Sequence, residues 1–357
     1  MNNFGDVLRD HGIGLGKYKI GGNIGVSNLN VPHVLFTFGE EASWVRAVDS
    51  LGNLYISDGS SSGNNLIKYD SQLNQIWKAR IYPTGALNHP SIMRVVMGKD
   101  DTPWVQLDFQ KTDFKYYIGF FKINKYTGAI EAGIDFQIGQ TDSNLWNFTV
   151  DQLTADVIYI AEVKRSASTS EIRKTILPSK TVEWTYQLGT TSVYGAPSLI
   201  AHANGSLYVA APTGYLHRIN TSSATDYYKR AMPLGSGFAV DTEGNAYTSG
   251  YDSRHRIESV SLSGGYRWGY TSSVKTESIA VSRDSKYVYS TSAEGGYVGM
   301  DRLEKLDAAT GALLKVIRPD GRKYDLVTSP NGDVYMTSSN IGVSTPNCLR
   351  ETFKILN

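Results

Sequence analysis

AVDSLGNLYISD at residues 47–58 returns as AVDTEGNAYTSG at 239–250, and that return decides the fold. Related copies are IAHANGSLYVAA (200–211), AVSRDSKYVYSTS (280–292) and VTSPNGDVYMTS (327–338). Weaker ones are GKDDTPWVQL (98–107) and TVDQLTADVIYIA (149–161). Each copy reads as an apolar strand, a tight turn of Asp/Asn-Gly type and a second strand built around an aromatic residue. The turn needs positive φ, which Gly and Asn adopt most readily, and an aromatic suits a pleated, half-buried surface. The shared aromatic is Tyr55, Trp104, Tyr159, Tyr208, Tyr247, Tyr289 and Tyr335, at successive spacings of 49, 55, 49, 39, 42 and 46 residues.

A second half-repeat follows most of these hairpins: LIKYDSQLNQIWK (66–78), FFKINKYTGAIEA (120–132), LHRINTSSATDYYK (216–229), SVSLSGGYRWGY (259–270) and LEKLDAATGALLKV (303–316). It is again strand, polar turn, strand, and the second strand often carries Trp or Tyr. LDAATGALLK could pass for a short helix, but it is in phase with INKYTGAIEA, which makes it strand–turn–strand. Four strands in every roughly 47 residues, seven times over, predict an all-β, seven-bladed β-propeller. A large β-sandwich would not repeat its local motif in register. LRETFKIL (349–356) supplies only a third strand to the last copy, and HVLFTF (33–38) has the alternation of the missing fourth. The ring is therefore expected to close through an N-terminal strand, removing exposed sheet edges. Residues 33–357 would form the propeller and 1–32 a Gly-rich N-terminal arm, with seven glycines in its first 25 residues.

Composition narrows the function. Lys+Arg number 35 against 34 Asp+Glu, with no basic tail or acidic block, so neither nucleic acid nor an anionic membrane is favoured. The lone cysteine, Cys348, excludes an internal disulfide framework and any multi-cysteine metal site. No apolar run approaches the length of a membrane span. The opening MNNFGDVLRDHGIGLG has neither a basic n-region nor an apolar core, which leads to the expectation of a protein that is not secreted.

LDAATGALLK and INKYTGAIEA resemble the outer strand–turn–strand of quinoprotein-like (PQQ-type) propeller repeats. AVDSLGNLYISD and AVDTEGNAYTSG resemble the inner hairpin of NHL-type repeats. The resemblance implies the propeller architecture and carries little about function, because such repeats serve enzymes, scaffolds and ligand-binding platforms alike. A quinone dehydrogenase would need a vicinal cysteine pair that this chain lacks. A seven-bladed lyase of the streptogramin-lyase type needs only a rim histidine, a carboxylate and a divalent cation, and His89 with Glu277 is the pair that could serve. The low charge and the abundance of Tyr, Gly, Ser and Asn are similar in style to propeller platforms of phage tail receptor-binding proteins.

Individual motifs carry little chemistry. Gly59-Ser60-Ser61-Ser62-Gly63 matches a nucleophile elbow in letters, but it lies between two strands with no helix following. HGIGLGKY (11–18) fails the phosphate-loop spacing. Six histidines (His11, His33, His89, His202, His217 and His255) show no metal-ligand spacing. The sequons at Asn147, Asn204 and Asn220 read as accidental, Asn204 being a turn residue. In-phase positions just before each innermost strand are more suggestive: Trp44, His89, Trp146, Tyr194, Phe238, Glu277 and Tyr324. They are expected either to pack between blades or to form a binding rim at one mouth of the channel, with Asp58, Asp108, Tyr251 and Asp252 as nearby hydrogen-bond partners. The resulting expectation is a non-catalytic recognition or assembly propeller, most plausibly a virion tail or receptor-binding component. It would bind a cell-surface glycan or polymer, use no cofactor or metal, and contact neighbouring subunits through residues 1–32. A cation-dependent lyase or hydrolase and a purely structural platform are the alternatives.

Overall fold

The computed structural model describes residues 33–36, 43–58, 65–87, 90–138, 145–164, 168–190, 196–211, 213–232, 235, 237–250, 256–272, 275–292, 302–317, 322–339 and 350–355. The expected arm, residues 1–32, lies outside them. Among the described residues, regular structure is almost entirely β, interrupted by one short 3₁₀ turn at Lys99–Asp101. No helix among them is long and apolar enough to cross a membrane.

The strands form seven four-stranded sheets, each antiparallel throughout. Six are consecutive in the chain. The first runs from Ser43–Val48 to Gln75–Arg80, the second from Ser91–Met97 to Ile130–Ile138, and the third from Leu145–Val150 to Thr181–Thr190. The fourth runs from Ser198–His202 to Asp226–Ala231, the fifth from Phe238–Val240 to Tyr266–Thr271, and the sixth from Thr276–Val281 to Leu313–Ile317. The seventh combines Arg322–Thr328, Val334–Ser339 and Arg350–Ile355 with His33–Phe36 from the other end of the chain. His33 sits opposite Ile355 and Phe36 opposite Thr352. The first strand of each sheet touches that of the next, and the seventh returns to the first. The architecture is a β-propeller.

One hairpin device recurs. Asp49 Oδ1 accepts the backbone N–H of Leu51 (3.0 Å) and of Asn53 (2.8 Å), while its Oδ2 accepts the Asn53 side-chain amide at 2.8 Å. Asp241 does the same for Glu243 and Asn245, and its Oδ2 also accepts the Tyr247 hydroxyl at 2.8 Å. Asp151 caps Leu153 and Thr154 and takes the Tyr159 hydroxyl. The carboxylate thus satisfies turn amides that no ladder reaches, and it anchors the aromatic ring six to eight residues downstream. Burial first, and then the neighbouring carboxylate, push the Tyr55 phenol far above its usual range.

The repeat aromatics are more buried than a half-buried surface position would be. Tyr55, Tyr159, Tyr208 and Tyr247 are fully inaccessible. The reason is the neighbouring sheet: Tyr55 packs with Val105 of the second sheet, Tyr159 with Leu207 of the fourth, Tyr208 with Val260 of the fifth and Tyr335 with Leu54 of the first. Each ring fills the seam to the next sheet, so the repeat is also the unit of inter-sheet packing.

Tryptophans of the outermost strands close three seams in one way. The indole N–H of Trp77 donates to Lys125 O at 3.1 Å, that of Trp184 to Thr221 O at 3.0 Å and that of Trp268 to Ala308 O at 2.9 Å. Each acceptor belongs to the outer turn of the following sheet. Those turns are pinned by Asn124, Asn220 and Asp307, whose side-chain oxygens accept two backbone amides each. The left-handed residue that ends the turn is Gly128 (φ +78), Gly311 (φ +74) and, in the fourth sheet, Ala224 (φ +54). A Cβ on Gly311 would lie 2.5 Å from the Trp268 ring, so this glycine is required both for its backbone and for the close approach.

Two stability outcomes follow. Gly311→Ala should cost about 1–3 kcal/mol, and Ala224→Gly should gain a few tenths to about 1 kcal/mol by relieving left-handed strain. Denaturant melts of the two variants check both signs. Deleting residues 1–38 removes the strand opposite Arg350–Ile355 and should lower the melting temperature well below that of a 1–30 deletion. Equal melting temperatures would remove the argument for N-terminal closure.

Candidate ligand-binding channel

The seven first strands enclose a cavity of about 480 Å³ to which every sheet contributes. Its wall includes Arg46, Arg94, Gln106, Trp146, Asn147 and Phe238, with Ser198 and Ser278 between them. Backbone bulges decide part of this lining. In the first sheet Val45 pairs with Ile56 and Ala47 with Tyr55, which makes Arg46 the extra, bulged residue of the strand. Register shifts in the first strands of the second and sixth sheets do the same at Met93 and Glu277. A bulge re-aims the side chain it inserts, and bulges concentrate beside functional sites.

A belt of hydrogen bonds runs along the wall. Arg46 Nε donates to Ser57 Oγ at 2.8 Å, and Arg46 Nη2 to Ile92 O of the second sheet at 2.9 Å. Arg94 Nη1 donates to Asn147 Oδ1 of the third sheet. Asn147 Nδ2 in turn donates to Pro197 O beside the fourth sheet at 2.9 Å. The Asn147 side chain is therefore committed within the ring. Arg46 and Arg94 are not legible in the repeat as lining residues, because the bulges at Arg46 and Met93 shift the inward phase and leave no mark in the sequence, and Asn147 lines the wall beside Trp146 on a strand with no register shift.

The in-phase aromatics divide. Trp44, Trp146, Phe238, Glu277 and Tyr324 lie within the first strands rather than just before them, since pairing begins earlier than the apolar pattern does. Trp146 and Phe238 share the channel wall. Trp146 also stacks on Phe136 of the second sheet (centroids 5.3 Å, interplanar 21°), with the Arg173 guanidinium 5.5 Å from its ring. It thus joins the wall to a seam. Trp44 is half-buried, with the Arg46 guanidinium 5.1 Å from its ring centre. His89, Tyr194, Tyr251 and Asp252 lie outside the described residues, as do the side chains of Glu277 and Tyr324. Among the described residues no three His, Cys, Asp or Glu side chains come together as a metal site.

The two acidic loop residues differ. Asp58 is buried and fully engaged, accepting the Asn65 backbone N–H (2.8 Å) and side-chain amide (2.7 Å) and pairing with Lys78 at 3.0 Å. Asp108 holds the position opposite Ser91 at the start of the second sheet. Its Oδ1 is buried without a hydrogen-bond partner among the described residues, and desolvation pushes the carboxyl up to about 6.

No protein-family profile matches the chain, and no curated protein matches it either. Solved structures do. The β-propeller domain of Cps50 (Swd1) from Myceliophteria thermophila aligns with a TM-score of 0.65 at 10% identity, over 91% of this chain and 100% of that one. BamB from Moraxella catarrhalis aligns with a TM-score of 0.50 at 14% identity, over 87% of this chain and 84% of that one. At such identities the likeness is one of fold.

Asp108 generates a pH dependence. Its folded pKa lies above the unfolded carboxylate value, so the folded state binds the proton more tightly. The stability it contributes is present below about pH 4 and is lost as pH rises through about 6. Asp108→Asn should therefore raise stability by about 2 kcal/mol at pH 7.5 and change it little at pH 4. Urea melts at the two pH values measure the difference, and an equal effect at both would show that Asp108 is not held protonated.

Proposed function

We propose that the chain is a seven-bladed recognition and assembly propeller that holds a ligand in its central channel without transforming it. The observation that carries this reading is the chemistry of the channel wall. Among the described residues it offers guanidinium, amide, hydroxyl and flat aromatic groups, which bind and orient, and no histidine, carboxylate or thiol to move a proton or attack a bond. A cavity of this size, with a few polar groups set among aromatic faces, suits one or two sugar rings. A glycan or cell-surface polymer is accordingly the favoured ligand. The setting suggested by the low charge and the Tyr-, Gly-, Ser- and Asn-rich composition is a virion tail, with residues 1–32 contacting neighbouring subunits.

A glycan array probed with the wild-type protein and with Ser278→Trp tests the reading. Ser278 faces the channel, so the indole should fill it and abolish binding while the melting temperature stays within a few degrees. Phe238→Ala should weaken binding by about tenfold or more, the usual cost of removing an aromatic anchor from the channel wall. Binding that survives Ser278→Trp would put the ligand outside the channel. EDTA-sensitive turnover of a bound glycan would favour catalysis through His89 and Glu277 instead.

A further inference from the structure

We infer that the outer rim of the seam between the fourth and fifth sheets is a docking surface for an extended, acidic segment of a protein partner. The rim belongs to the outermost strands, away from the channel wall, so the assignment does not depend on what the channel holds.

One register shift recurs in the outermost strands. It inserts Glu131 in the second sheet, Glu183 in the third and Tyr227 in the fourth, each beside a cation of the preceding strand. In the third sheet Glu183 neutralises that cation, Lys174, at 2.8 Å, and in the second Glu131 lies 3.9 Å from Lys122. In the fourth sheet the inserted residue is an aromatic. The Arg218 guanidinium lies 4.3 Å from the Tyr227 ring centre. Its hydrogen bonds go to neutral oxygens, Ser206 Oγ and Leu262 O, both at 2.9 Å.

Arg230 adds a second charge on the same seam, donating to Gly264 O at 2.7 Å and lying 5.9 Å from the Tyr266 ring centre. The two arginines thus hold the outer turn of the fifth sheet, where tryptophans hold the corresponding turns at three other seams. Opposite Arg218, at the position Trp184 takes opposite Lys174, stands Tyr228. Its hydroxyl is buried without a hydrogen-bond partner among the described residues. The described carboxylates of the two sheets are committed to other groups. Asp226 accepts the Tyr186 hydroxyl of the third sheet (2.6 Å), Glu258 pairs with Arg256 (3.0 Å), and Asp241 and Glu243 bind their own turn. Among the described residues no carboxylate comes within ion-pair distance of Arg218 or Arg230.

This chemistry selects the occupant. Guanidinium groups fixed in place without a counter-ion attract carboxylates, and tyrosine and arginine are among the residues most enriched where proteins bind one another. Tyr227 and Tyr266, which flank the two arginines, are 52% and 48% exposed. The outermost strand, Asp226–Ala231, ends its sheet, so its outer row of backbone groups is open to an extended peptide. Alternate side chains of such a peptide point the same way, which sets acidic residues at every second position against the arginines.

The test uses the full chain and the fluorescence anisotropy of a labelled peptide alternating Glu and Thr. Its Gln–Thr counterpart and polygalacturonate, a carboxylated polymer without a peptide backbone, serve as comparisons. The Glu peptide should bind at least tenfold more tightly than either, and rising salt should weaken it. Arg218→Gln and Arg230→Gln should each reduce its affinity about tenfold. Lys115→Gln, which removes an exposed charge from a turn of the second sheet, should change nothing. Because both arginines also hold the fifth sheet's turn, Tyr227→Glu supplies a variant that spares those bonds. It installs the third sheet's arrangement at an exposed position, so affinity should fall at least tenfold while the melting temperature holds.

Equal affinity for the Glu and Gln peptides, or no binding of either, would overturn the assignment. So would a loss in Lys115→Gln equal to that in Arg218→Gln, or full binding by Tyr227→Glu. Polygalacturonate binding as tightly as the Glu peptide would make the rim a general polyanion surface and overturn the protein partner. Peptide binding blocked by Ser278→Trp would place the peptide in the channel and overturn the rim.

Discussion

The structure depends on a carboxylate that satisfies its own turn and on a ring that the turn then delivers to the neighbouring sheet. A four-stranded sheet of this size cannot bury both faces by itself. Each of Tyr55, Tyr159, Tyr208 and Tyr247 is placed one strand in from the channel, where the adjacent sheet covers it completely. Asp49, Asp151 and Asp241 bind the turn amides and reach the phenol of the same hairpin. Local turn chemistry and long-range packing are therefore settled by the same few residues, and this coupling is what allows one short motif to specify an entire ring.

That coupling also explains what could be read in advance. Strand pairing within a sheet depends on neighbours in sequence, so AVDSLGNLYISD and its copies announced the hairpins, and LDAATGALLK was correctly phased as strand–turn–strand at Arg302–Asp307 and Leu313–Ile317. HVLFTF announced a strand that pairs with Arg350–Ile355. The depth of the tyrosines was not legible, because alternation within a hairpin reports one sheet face and says nothing about what covers it. The docking of Trp77, Trp184 and Trp268 on the next outer turn was hidden for the same reason, although the Asn/Asp-x-x-x-Gly spacing of 124–128 and 307–311 was visible as a turn.

The channel wall was less legible still. Assigning inward residues by phase assumes an unbroken two-residue alternation. The bulge beside Val45 inserts one residue and changes which side chain faces the axis, so that Trp44 was singled out where Arg46 lines the cavity. Trp146 and Phe238 stand on strands without a register shift, so the in-phase reading reaches the wall there. Trp146 also shows that the two readings of the rim aromatics, seam and site, are not exclusive. Its ring stacks on Phe136 while forming part of the wall, which makes the wall as rigid as the seam behind it.

The seventh sheet draws its strands from both ends of the chain, and this has a topological consequence. In an open ring the first and last sheets would each be a place where unravelling starts with no ladder to break. Here the covalent gap lies inside a sheet, and His33–Phe36 must leave Arg350–Ile355 before either end is released. The chain is linear, yet for fraying it behaves like a loop tied with a hydrogen-bonded knot. Any opening of the circle must begin at a paired strand, so the cost of the first step is set by a sheet rather than by a terminus.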